Sequence, residues 1–406
     1  MTEREVQLGE VADLVRGISF RPGELAPDST DAVPLLRATN IGDHTLDLTD
    51  VLYVPTRLVR EAQHLRRFDV VIAMSSGSRK AVGRLAPLRQ TWGGCVGAFC
   101  GVIRPKPDRI DPAYLGYVLQ STEFRERIET YAVGTAIMNL SRDRLLGFQF
   151  RLPPPGVQRR IARILGALDD KIELNRRLSK TLQLTAGAMF KSWFVAEAGT
   201  EADGWRSCTI GDLAEVVGGS TPSTTEPRFW NGSHYWATPK DLAGLKTPVL
   251  LRTARMLTDA GIGQISSGLL PAGTVLMSSR APIGYVAITE VPVAINQGFI
   301  AMKPRPGVSG LFLLHWAASS QDQILSRANG STFLEISKSS FRPIEVLAPP
   351  ADAMDSFDRV VGPIHERVVA NERQIGMLAE IRDALLPRLL SGELRGSEAK
   401  HATVGA

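Results

Sequence analysis

The sequence predicts an α/β (α+β) fold built twice: two tandem globular domains, each followed by a long helix. The two helices are expected to pair as an antiparallel coiled coil about a pseudo-two-fold axis. Three observations predict this. The same landmarks recur in the same order at a spacing of about 200 residues, the mark of an internal repeat. Short apolar runs bounded by Gly, Pro, Asp and Ser read as buried strands. After each Pro-Pro the apolar residues fall at steps of three and four, the spacing of an interhelical seam.

Residues 1–152 form the first domain, 153–194 its helix, 195–205 a linker, 206–348 the second domain, 349–395 the C-terminal helix and 396–406 a tail. Val6–Val15 answers to Cys208–Val217, and glycine follows in both copies at Gly17 and Gly219. The strand-like run Val70–Ser76 answers to Thr274–Ser279, and Arg104-Pro105 to Lys303-Pro304. Leu115–Ile128 and Leu311–Leu325 carry apolar residues at helical spacing. Asn139-Leu140-Ser141 matches Glu335-Ile336-Ser337, and Leu152–Pro155 matches Leu347–Pro350.

In the long helices the pairing positions are Ile161, Leu168, Ile172, Asn175, Leu178 and Leu182 against Ile364, Val368, Asn371, Ile375 and Leu378. A proline at the start suits the first helical turn, whereas Pro363 and Pro387 are expected to kink or shorten the second helix. Asn175 and Asn371 hold matching positions; they are either two exposed side chains or a polar layer that fixes register at some cost in stability. The linker, from Val195 to Trp205, is small, polar and acidic, and the tail is small and polar.

Composition narrows the function. The chain has 406 residues, 44% hydrophobic and 22% charged, which is ordinary for globular proteins. No apolar stretch is long enough to span a bilayer, the first residues are polar, and three cysteines make no disulfide framework; a cytoplasmic protein is expected. The net charge of +5 comes from the first long helix, where residues 157–194 hold 8 basic and 3 acidic side chains. Residues 1–156 hold 20 and 18, and residues 195–351 hold 12 of each. No phosphate-cradling Gly-Lys-Ser/Thr loop, dinucleotide-binding glycine pattern, nucleophile elbow or paired-histidine metal motif occurs. No catalytic residue and no metal ligand can therefore be named.

The pattern resembles the specificity subunit of type I restriction–modification systems across nearly the whole chain. The resemblance rests on Pro153–Ala162 with Leu168-Asp169-Asp170-Lys171-Ile172, on Trp236–Leu242, on Met277–Gly284 and on Leu385–Leu394. Two departures stand out: Asp355 falls where a glutamine is usual after the second Pro-Pro, and the first domain has Arg37-Ala38-Thr39-Asn40-Ile41 where the second has Thr238-Pro239-Lys240-Asp241. The resemblance implies two target-recognition domains, each reading one half of a bipartite double-stranded DNA site. It also implies helices that space the domains and dock two methyltransferase subunits, with motor–nuclease subunits joining them. S-adenosylmethionine, Mg2+ and ATP would then sit on those partners, with no cofactor bound by this chain. Candidate DNA contacts are polar residues in glycine- or proline-bearing loops: Arg37, Asn40, Ser76, Ser78, Arg79 and Lys80 in the first domain, Lys240, Ser278, Ser279, Arg280, Asn296 and Gln297 in the second. Arg and Lys suit guanine, and Asn and Gln suit adenine. The alternatives are a coiled-coil scaffold carrying two peptide-binding domains, or a nuclease–methyltransferase fusion.

Overall fold

A computed structural model describes residues 4–28, 30–76, 81–131, 138–196, 203–330 and 334–394. The chain divides into two units, Met1–Asp170 with Ala379–Ala406, and Lys171–Leu378. Each long helix therefore contributes part of its length to both units.

In the first unit an antiparallel sheet runs in the order Ala12–Arg16, Cys100–Pro105, Val70–Ala73, Leu85–Pro87. Val70–Ala73 is an unbroken apolar run because both faces of this sheet are covered. Val70 and Ile72 enter one core while Val71 and Ala73 enter another, as the two-residue period of a strand requires. A smaller sheet pairs Ala32–Leu36 antiparallel to Leu52–Pro55 and parallel to Cys95–Val96. Arg4–Gln7 pairs with Gln149–Leu152 and hands the chain to the central helix.

The second unit repeats the plan. Its larger sheet runs Ala214–Val217, Phe299–Pro304, Val275–Ser279, Ile283–Thr289, Val249–Leu250, and Val275 and Met277 part from Leu276 into separate cores in the same way. Trp230–Ala237 pairs antiparallel with Arg255–Leu257 and parallel with Val293–Ile295, and Arg206–Thr209 pairs with Glu345–Ala348.

Each helix expected over 115–128 and 311–325 is two helices: Pro112–Val118 with Thr122–Tyr131, and Gly310–Ser319 with Gln321–Ser326. A serine stands at each break, and at the first its side chain caps the helix that follows. Ser121 Oγ accepts from the Phe124 N–H at 3.2 Å, and Ser320 leaves helical geometry at ψ 23°. Such side-chain bonding offers the backbone an alternative to the helical ladder.

The long helices are Pro155–Lys191 and Ala351–Leu390. Against expectation, Pro363 and Pro387 interrupt nothing. Both are exposed, and the carbonyls they leave without helical partners, at Arg359 and Asp383, belong to exposed residues where water can serve. In the first unit Leu385 and Leu389 join Ile161, Ala162 and Leu165 in the main core. In the second unit the two helices run antiparallel, with Asn175 opposite Gln374, Ser179 opposite Asn371 and Phe190 against Phe357. Ile161, Ile172, Asn175, Val368 and Asn371 are buried, whereas Leu168, Leu178, Leu182, Ile364, Ile375 and Leu378 are half-buried. The two asparagines form a polar layer without touching each other as partners: Asn175 donates to Gln374 Oε1 at 2.8 Å and Asn371 to Ser179 Oγ at 3.2 Å. The strand ladders also place Met354, not Asp355, in the position of Gln158, and both are buried.

Candidate nucleic-acid interface

In the second unit, loops gather at one end of the sheets. There the strands Ala214–Val217, Trp230–Ala237, Val275–Ser279 and Val293–Ile295 finish, while Ile283–Thr289 and Phe299–Pro304 begin. Close backbone approach brings the loops together. A Cβ at Gly219 would stand 1.8 Å from the Ile295 carbonyl oxygen, and one at Gly298 would stand 2.9 Å from Pro239. Only glycine permits the first contact.

Lys240 lies exposed on the short helix Pro239–Ala243. Thr238 and Asp241 close that turn: the Asp241 carboxylate accepts from the Thr238 N–H at 2.7 Å and from its hydroxyl at 2.8 Å. Gln297 is exposed and accepts from Thr221 Oγ1 at 2.6 Å, tying two loops. Asn296 is half-buried and turns the chain by accepting from the Gly298 N–H at 2.9 Å. Arg280 stands 3.5 Å from Glu335.

Ser278 and Ser279 do not face this surface. Both are buried; Ser278 Oγ donates to the Pro282 carbonyl at 2.8 Å and accepts from the Tyr285 N–H at 2.9 Å. Its hydroxyl holds the bend that presents Arg280.

The first unit builds the same edge from different residues. A Cβ at Gly17 would meet the Gly97 oxygen at 2.1 Å, as at Gly219. The ladders align Val96 with Ile295, so Phe99 takes the place of Gly298 and, 68% exposed, projects from this edge. Asn40 is a correction. It is 2% exposed, accepts from the Arg37 N–H at 2.8 Å and donates to the Asp50 carbonyl at 2.6 Å, which makes it the counterpart of the capping Asp241. Exposed Thr39 is then the counterpart of Lys240. Arg37 is drawn to Asp50 at 2.9 Å, and half-buried Ser76 pairs with Met138 along a two-residue ladder. Ser78, Arg79 and Lys80 lie outside the described residues. Thr39 and Phe99 escape a search for charged and amide side chains in glycine- or proline-bearing loops. The equivalent caps Asn40 and Asp241 are the signal that puts Thr39 at the position of Lys240.

Each unit also ties its domain to its helices. In the first, Asp169 of the central helix accepts from Tyr117 at 2.7 Å, from Arg382 at 2.9 Å and from Arg89. Burial pushes the Tyr117 phenol up, so it stays a donor. In the second, His365 of the C-terminal helix bonds Glu290 at 2.8 Å, and that bond holds the Glu290 carboxyl below its ordinary range. Burial lowers neighbouring His315 to about 4, keeping it neutral among Phe190 and Phe357.

A family model described as the type I restriction modification DNA specificity domain matches this chain twice, over residues 67–184 and 202–359. The chain belongs to that family of DNA specificity subunits. The HindI specificity subunit of Haemophilus influenzae is 26% identical over 72% of this chain and 80% of its own length. The MjaIX specificity subunit of Methanocaldococcus jannaschii is 34% identical over 44% of this chain, a match that spans 41% of that protein. The type I S subunit from M. genitalium shares the fold of this specificity subunit, with a TM-score of 0.58 over 96% of both chains at 15% identity. No helix among the described residues is long and apolar enough to cross a membrane.

Proposed function

We propose that each unit of this specificity subunit reads one half of a bipartite double-stranded DNA site with the loops at its sheet edge. The observation that carries this is duplication: the specificity-domain model matches twice, and both copies build the same glycine-pinned edge. Lys240, Gln297, Asn296 and Arg280 would meet the duplex from the second unit, and Thr39, Phe99, Ser76, Ser78, Arg79 and Lys80 from the first. The paired helices would dock two methyltransferase subunits, and motor–nuclease subunits would complete a cytoplasmic complex. The chain itself performs no chemistry in this reading; S-adenosylmethionine, Mg2+ and ATP act on the partners, whose surfaces also help neutralise phosphates around a subunit of modest charge.

The test is replacement of residues 207–346 with the matching domain of a relative, followed by sequencing of methylated sites in cells supplying the methyltransferase. One half of the site should change and the other should persist. A change in both halves would refute independent reading.

A further inference from the structure

The two domain-to-helix ties occupy equivalent places but have opposite polarity. Val70 pairs with Ile103 as Val275 pairs with Met302, and Pro87 lies opposite Val70 as Ile288 lies opposite Val275. Two residues further on, Arg89 and Glu290 correspond. The buried pair Gln158 and Met354 sets the helix alignment, and the same offset brings Asn175 onto Asn371 and Asp169 onto His365. Tyr117 and His315 sit equally far past the capping residues Asp111 and Ser309. The first domain thus offers a cationic donor to a helix carboxylate, and the second offers a carboxylate to a helix ring N–H. Arg382 backs Asp169 in the first unit, where its counterpart in the second is the small, buried Ala186.

We infer that this reversed polarity is a seating code: it assigns each recognition domain to its own stretch of the helices and rejects the other. Seated on the wrong stretch, Glu290 would face Asp169, carboxylate against carboxylate, and Arg89 would stand where His365 now finds a carboxylate acceptor. The two domains share one architecture, so shape alone discriminates weakly between the stretches. A carboxylate set against a carboxylate at one seat, and the loss of the carboxylate acceptor at the other, supply the discrimination. Both ties are partly or largely buried, with Asp169 11% and His365 16% exposed, so water screens them less than surface pairs. The code is a property of the free chain and does not depend on the reading of DNA proposed above.

Single charge changes imitate the wrong domain. Glu290→Arg presents the first domain's group to His365, and Arg89→Glu presents the second domain's group to Asp169. Amide hydrogen exchange on the full chain without DNA should show protection of residues 361–369 falling about tenfold in Glu290→Arg, with residues 70–73 of the other unit unchanged as an internal reference. Adding His365→Asp to Glu290→Arg recreates the first unit's polarity and should restore protection, although His365→Asp alone should lose it. Arg89→Glu should show the corresponding loss over residues 165–170. Wild-type protection in either single charge change, or a double variant as exposed as the worse single one, would overturn the seating code.

Discussion

Replacing the same residue by alanine at the two equivalent asparagines should give different stabilities. Both are 1% exposed, but their hydrogen bonding differs. Asn175 donates to half-buried Gln374, and its buried Oδ1 has no partner among the described residues. Asn175→Ala therefore loses a bond worth about 1 kcal/mol but also removes a stranded acceptor costing about 1–3 kcal/mol. Alanine adds roughly 0.5 kcal/mol of helix propensity. The net change should be near zero or stabilising. Asn371→Ala instead strands Ser179 Oγ, which is fully buried, and should cost about 1–2 kcal/mol after the propensity gain. For a unit of this size each kcal/mol moves the Tm by about 2–4 °C, so the two variants should differ by several degrees in thermal unfolding. Ser179→Ala in the Asn371→Ala background should recover about 1 kcal/mol by removing the stranded hydroxyl. Equal losses in the two single variants, or a further loss in the double variant, would refute the reasoning.

Lys240→Ala should lower the slope of log affinity against log salt by about one for the assembled complex on its site, measured by titration at several ionic strengths; an unchanged slope would remove Lys240 from the phosphates. Gly219→Ala should cost about 3 kcal/mol, because its Cβ meets a carbonyl at 1.8 Å, whereas Gly362→Ala, with nothing within 4 Å, should be neutral or stabilise the helix by about 0.5–1 kcal/mol in denaturant titrations. His315 binds a proton less readily in the fold, at about 4, than at its ordinary 6.5, so the unfolded chain protonates first. Its contribution is present above pH 6.5 and lost as pH falls toward 4; His315→Phe should flatten that limb of the acid-unfolding curve.

Much of the architecture was legible because apolar spacing reports burial directly. Val70–Ala73 reads as a strand covered on both faces, and the steps from Ile161 to Leu182 read as a seam. Pro363 and Pro387 misled because a proline's penalty depends on whether the freed carbonyl faces core or water, which spacing does not encode. The site was less legible for a similar reason. Asn40, Ser278 and Ser279 have the composition of base-reading residues, yet all three are buried, and the polar groups of Asn40 and Ser278 close turns inside the fold. Which end of a polar side chain remains available is decided by partners distant in sequence, such as Asp50 for Asn40 and Pro282 for Ser278.

The sharing of the long helices between units has a consequence during synthesis. The first unit's core includes Leu385 and Leu389, yet its other members end at Leu165. At about 5–20 residues per second, the chain between Asp170 and Ala379 takes on the order of 10–40 s to emerge. Throughout that interval Ile161 and Leu165 lack the two leucines that cover them, so the first domain waits on the ribosome with an open apolar stripe. A chain truncated before residue 379 should keep that stripe for good and depend on chaperones to stay dispersed.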